Sequence, residues 1–94
     1  MDVDGLVGHN GKFLLLETKA NGVDLSGGQQ RCLESLRETG IFTILIIWGI
    51  RNCPSRVALW TSKGKTVYRS VDLEKLRTIC ERWWEWAGEG KEDE

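Results

Sequence analysis

The sequence predicts a small α/β fold, a mixed β-sheet with one crossover helix and one C-terminal helix, on three observations. Phe13-Leu14-Leu15-Leu16 and Ile41-Phe42-Thr43-Ile44-Leu45-Ile46-Ile47-Trp48 are apolar on both alternations, as strands covered on both faces are. Between them, the stretch from Ser26 to Gly40 reads as a helix, and strand, helix and strand in that order make a parallel crossover. Near the C-terminus, Leu73, Leu76, Cys80, Trp83 and Ala87 recur at spacings of three and four, with Ile79 widening the stripe, as on a helix laid against a sheet.

The elements follow in order. Val3-Asp4-Gly5-Leu6-Val7 has strand character, and Gly8-His9-Asn10-Gly11 has the residues a tight hairpin turn needs. A two-residue turn at His9-Asn10 pairs Gly8 with Gly11, Val7 with Lys12, Asp4 with Leu15 and Asp2 with Glu17. The buried run then ends in Glu17-Thr18-Lys19. Ala20-Asn21-Gly22-Val23-Asp24 is a turn, Ser26 is an N-cap, the helix covers roughly 27 to 39, and Gly40 is its C′ residue. Leu33 and Leu36 lie four and seven positions after Gln29, so Gln29 belongs to the inward stripe and Gln30 faces water. After the central strand, residues 51–55 read as a loop. Arg56-Val57-Ala58-Leu59-Trp60-Thr61 and Thr66-Val67-Tyr68-Arg69 flank Ser62-Lys63-Gly64-Lys65 as a hairpin. The last helix starts near Ser70, with Asp72 and Glu74 in its first turn, and runs to about Trp86. Trp84 and Trp86 lie off its stripe and suit a sheet edge or a subunit contact better than stacking on unpaired bases.

Ninety-four residues make one small domain, here residues 1–87, with 88–94 an acidic, disordered tail. Five tryptophans and 40% apolar residues indicate a folded chain. Nothing reads as a signal peptide and no run of eighteen apolar residues occurs, so a soluble, cytoplasmic protein with no membrane partner is expected. Cys32, Cys53 and Cys80 are odd in number and lack C-x-x-C spacing, and with a single histidine this disfavours zinc and a disulfide framework. The net charge of −1 is uneven: five acids against Lys91 put the last ten residues at −4, leaving +3 on residues 1–84. A local basic surface is compatible with that distribution.

The chemistry concentrates between Asp4 and Gln29. In a strand, Glu17 and Lys19 project to one face and Thr18 to the other, and the hairpin adds Asp4 to the face of Glu17. Asp2 is a rival, since the simple register puts it opposite Glu17. Two carboxylates that approach each other repel unless a cation lies between them, and oxygen donors suit magnesium or manganese. An ammonium beside them can meet a phosphate oxygen or an attacking water, which completes the parts for metal-assisted phosphodiester hydrolysis. His9, in a Gly-His-Asn-Gly turn, is expected to be an exposed loop residue and is set outside the site.

Asp4, followed thirteen residues later by Glu17-Thr18-Lys19, resembles the motif of the PD-(D/E)xK nuclease superfamily. The following Asp24-Leu25-Ser26 and Gln29 resemble its virus-type replication-repair nuclease (VRR-NUC) branch, over about residues 2 to 48. The pattern departs from the branch in two places. Val3 stands where proline is often found, and the chain begins almost at the first catalytic strand, where the branch usually has a helix contributing another glutamate. The resemblance implies a restriction-endonuclease-like core and favours Asp4 over Asp2. It implies that Asp4, Glu17 and the backbone carbonyl of Thr18 hold Mg2+ or Mn2+, that Lys19 acts on the attacking water and the scissile phosphate, and that Gln29 orients them. It further implies a homodimeric, structure-selective DNA endonuclease, most like a Holliday-junction resolvase. The alternatives are a flap or single-strand endonuclease and a non-catalytic nucleic-acid-binding module on the same fold.

Overall fold

A computed structural model describes residues 4–50 and 53–89. Five strands and two helices follow in the order β1 (Gly5–His9), β2 (Lys12–Lys19), α1 (Gly27–Glu38), β3 (Phe42–Ile50), β4 (Cys53–Thr61), β5 (Gly64–Tyr68) and α2 (Leu73–Glu89). The strands lie in one sheet in sequence order. β2 and β3 are parallel through α1, and the other neighbours are antiparallel, so the mixed α/β architecture is as expected. No described helix is long and apolar enough to cross a membrane.

The double-sided apolar runs explain the layers. Leu14, Leu45 and Val57 point to one face and pack with Val71, Ile79, Trp83 and Ala87 of the C-terminal segment. Their neighbours Leu15, Ile44, Ile46 and Ala58 point to the other face and pack with Leu33 of α1. Burying each leucine or isoleucine contributes about 1.5–3 kcal/mol, so β2 and β3 anchor both layers at once. The α1 segment follows its local signals closely. Ser26 caps it, Thr39 is its C-cap, and Gly40 follows with φ +82°.

The first hairpin corrects the expected register. Its turn is Asn10-Gly11, with φ of 56° and 78°, and His9 pairs with Lys12. Asparagine and glycine tolerate two successive positive φ angles; histidine followed by asparagine tolerates them less well. The pairing therefore slides by two residues, Gly5 lies opposite Leu16, and the next position outward sets Asp4 beside Glu17. An even slide preserves the faces. Asp2, expected opposite Glu17, lies outside the described residues.

Four further boundaries differ. β4 begins at Cys53, inside the expected loop. Pro54 is accommodated because β5 pairs only from Val57 onward, which leaves no second ladder for its missing N–H to interrupt. The pairing shifts at Trp48/Gly49, where a Cβ on Gly49 would stand 2.5 Å from the Cys53 carbonyl oxygen, so only glycine fits this bend. The second hairpin closes at Ser62-Lys63, two residues and not four. In α2, Asp72 precedes the helix as its cap, accepting from the Lys75 amide at 2.8 Å. Val71 takes the buried place that the stripe gave to Leu73, and Leu73 is 49% exposed. The helix runs through Gly88 and Glu89, two residues into the expected tail.

The end of α2 is fastened to the first hairpin. His9 stacks on Trp84 with ring centroids 3.7 Å apart and planes 6° apart, correcting its expected place in an exposed loop. The Ala87 carbonyl, at the helix end where such groups lack helical partners, accepts from Asn10 Nδ2 at 3.1 Å and Lys12 Nζ at 3.4 Å. Lys12 also lies 5.2 Å from the Trp86 ring. Both off-stripe tryptophans therefore cover the hairpin.

Candidate active site

Alternation along β2 sends Leu15 into the layer with α1 and Leu14 into the layer with α2, so Glu17 and Lys19 belong to the α1 face. Glu17 is buried, 6% exposed, although it lies near the end of the strand. Asp4, just ahead of β1, is exposed and joins it from the neighbouring strand.

Asp4 is anchored by Thr18. Its Oδ2 accepts from the Thr18 amide at 2.7 Å and from the Thr18 hydroxyl at 3.0 Å. The Thr18 amide is the main reason that the Asp4 carboxyl lies below its usual range. Partial desolvation opposes it, and the Thr18 hydroxyl, a side-chain hydrogen bond with Glu17 and the charge of Lys19 add to it. The register sets the two acidic residues side by side on neighbouring strands. In an extended residue, N–H and C=O project to the same edge of the strand, so the carbonyl of Thr18 faces the β1 edge along with the amide that holds Asp4.

Lys19 is set by the helix. Its Nζ donates to Gln29 Oε1 at 2.8 Å, and the same oxygen accepts from the Ser26 amide at 3.1 Å. Ser26 Oγ in turn accepts from the Gln29 amide at 3.1 Å, closing a reciprocal capping box. Gln29 thus both caps α1 and fixes the amine. The loop between Lys19 and the helix is tied down from β3 and β4. Trp48 Nε1 donates to the Val23 carbonyl at 2.7 Å, and Ser55 Oγ bonds Asn21 Oδ1 at 2.6 Å.

Asp4 and Glu17 thus form one pair, Lys19 and Gln29 a second, and both lie at the same end of β2. Among the described residues no group of three or more histidine, cysteine or acidic side chains converges. Two carboxylates with a backbone carbonyl still fit magnesium, which commonly binds through one or two carboxylates and keeps its remaining positions for water and substrate phosphate. The residue that sequence reasoning undervalued is Thr18. Its side chain faces away from Glu17 and Lys19, and only its bond to Asp4 discloses its part. Comparison with known proteins returns no matching family model, no matching curated protein and no matching solved structure.

Proposed function

We propose that the chain is a divalent-metal-dependent DNA endonuclease with a PD-(D/E)xK-type site, of the virus-type replication-repair kind, on a restriction-endonuclease-like core. The observation that carries this reading is the placement of Asp4, held by Thr18, opposite Glu17 on the strand whose next same-face residue is Lys19, an amine held by Gln29. Asp4, Glu17 and the Thr18 carbonyl would hold Mg2+ or Mn2+, which when bound supplies Lewis acidity toward the phosphate and the attacking water. Lys19, an ammonium held in one direction, donates to a phosphate oxygen or to the water and offsets the charge that accumulates during displacement. Gln29 keeps it aimed.

The proposed substrate is branched DNA, the four-way junction first, cut by a homodimer whose two-fold symmetry presents one site to each of two equivalent strands. Exposed Ile50 and Leu73, 69% and 49% accessible, offer apolar area for a subunit contact. Sizing the protein and incubating it with labelled junctions, flaps and single strands in magnesium or manganese tests both parts. Cutting should fall at least about a hundredfold with Asp4→Ala and with Lys19→Ala; cutting near the parent rate in either variant overturns the site.

One observation favours a second reading, a non-catalytic nucleic-acid-binding module. Asp4 is engaged by Thr18 and Lys19 by Gln29, so these groups also serve as internal ties. That reading predicts junction binding without cutting, and a melting temperature indifferent to manganese.

A further inference from the structure

A row of side chains leads away from Lys19 across the sheet. Lys19 pairs in register with Trp48 on β3, and Trp48 with Arg56 on β4. β4 and β5 pair as far as Val57 with Tyr68, so the next position outward sets Arg69 beside Arg56. Residues in register share a face, which makes Lys19, Trp48, Arg56 and Arg69 neighbours on the α1 side. Trp48, Arg56 and Arg69 line one open groove of about 480 Å³ with Trp60, Val67 and Asp24, in which Arg56 and Arg69 are the cations.

The guanidinium of Arg56 lies over the Trp48 ring, 4.1 Å from its centroid. Trp48 is itself fixed by its bond to the Val23 carbonyl. An aromatic face holds the arginine in position without using an acid to do so. Among the described residues the ion pairs are those of Glu34 with Arg37 and Lys65, and neither Arg56 nor Arg69 takes part in one. Asp24 shares the groove without pairing to either. Two arginines kept at the surface without carboxylate partners suit phosphate, which matches their planar donors. At about 4.8 Å between strands, Arg56 lies roughly 10 Å and Arg69 roughly 14 Å from the Lys19 position. Those spans correspond to a few nucleotides at about 3.4 Å of rise.

We infer that Arg56 and Arg69, with Trp48 as the platform for Arg56, bind the sugar–phosphate backbone of the nucleic-acid strand that leads into the Asp4–Lys19 site. The inference rests on the nuclease reading for what happens at Lys19, but the binding it describes requires no cleavage.

The test measures binding of a fluorescent DNA strand and of the matching duplex over a salt series in EDTA, so that hydrolysis cannot intervene. Arg56→Ala/Arg69→Ala should weaken binding about tenfold or more. It should also lower the slope of log affinity against log salt by about 1.4 for a single strand or 1.8 for a duplex. The arm with the larger loss identifies the form bound. Lys75→Ala/Arg82→Ala, on the α2 side, should bind as the parent does. Arg69→Ala alone, which disturbs no ring contact, should lower the slope by about half as much and covers the case in which the double variant unfolds. Unchanged affinity and slope in folded variants, or no binding by the parent, overturns the inference. If the arginines control binding while the parent never cuts in manganese, the inference stands and the nuclease reading falls. If the arginine variant binds and cuts like the parent, the reverse holds.

Discussion

The two ends of the first hairpin are built from similar materials and used in opposite ways. At the turn end, Asn10 and Lys12 donate to Ala87 while His9 stacks on Trp84, so the polar and aromatic groups are spent on joining β1 and β2 to α2. At the open end, Asp4 is held by Thr18 beside Glu17, and Lys19 is held by Gln29 in the first turn of α1. A lysine and a histidine near each other are therefore no guide to chemistry by themselves. The informative feature is what the polar groups touch: a backbone carbonyl and an indole at the turn end, the Gln29 side chain for Lys19 and Thr18 for Asp4 at the open end.

That contrast can be broken by substitution at either end. The largest effect expected is for Lys19→Ala, which should lower cutting by about 10²–10³-fold, the size seen when one electrostatic group is removed from a reaction site, with little change in melting temperature. A large loss of stability with no loss of rate would place the open end with the turn end as mere scaffolding. Gln29→Ala should come next, slowing cutting about tenfold by releasing the amine, and costing about 0.5–1 kcal/mol through the broken cap; single-turnover rates and denaturant melts separate the two parts.

At the turn end, Trp84→Ala should cost about 1 kcal/mol, a fall of roughly 4–8 °C in melting temperature, and leave cutting at low temperature as in the parent. A loss of activity without a loss of stability would give His9 and Trp84 a chemical part after all. The smallest effect concerns acid. Because the folded-state value of Asp4 is lowered, its contribution to stability is present above its ordinary value of 3.8 and is lost as pH falls through the lower folded value. Asp4→Asn should therefore be slightly less stable than the parent at neutral pH, with the difference closing as pH falls through the folded value, and a difference that persists in acid would point to geometry and not to charge.

Much of this architecture could be read from the chain because the signals are local. Ser26, Gln29 and Gly40 mark both ends of α1 through bonds made within a few residues, and the apolar doublets of β2 and β3 require two covered faces whatever else the chain does. The readings that failed depend on partners distant in sequence or on the relative tolerance of neighbours. His9 looked like a loop tip because nothing near it foretells Trp84, 75 positions away. The hairpin register turned on whether histidine or glycine occupies a positive-φ position. Leu73 fits the helical stripe by spacing, but Val71 reaches the buried place first. At the candidate site, the side on which Glu17 and Lys19 lie follows from strand parity alone. The tie from Asp4 to Thr18 does not, since threonine points to the opposite face and its amide carries no sequence signature.

The shared acceptor on Gln29 sets the geometry of what Lys19 can do next. A carbonyl oxygen offers two lone pairs, and the Ser26 amide and the Lys19 amine occupy both. The ammonium is a tripod with one leg already planted, so two N–H bonds remain, separated by a fixed angle. One water and one phosphate oxygen can be grasped together only if both arrive within the arc those two legs sweep about the planted one.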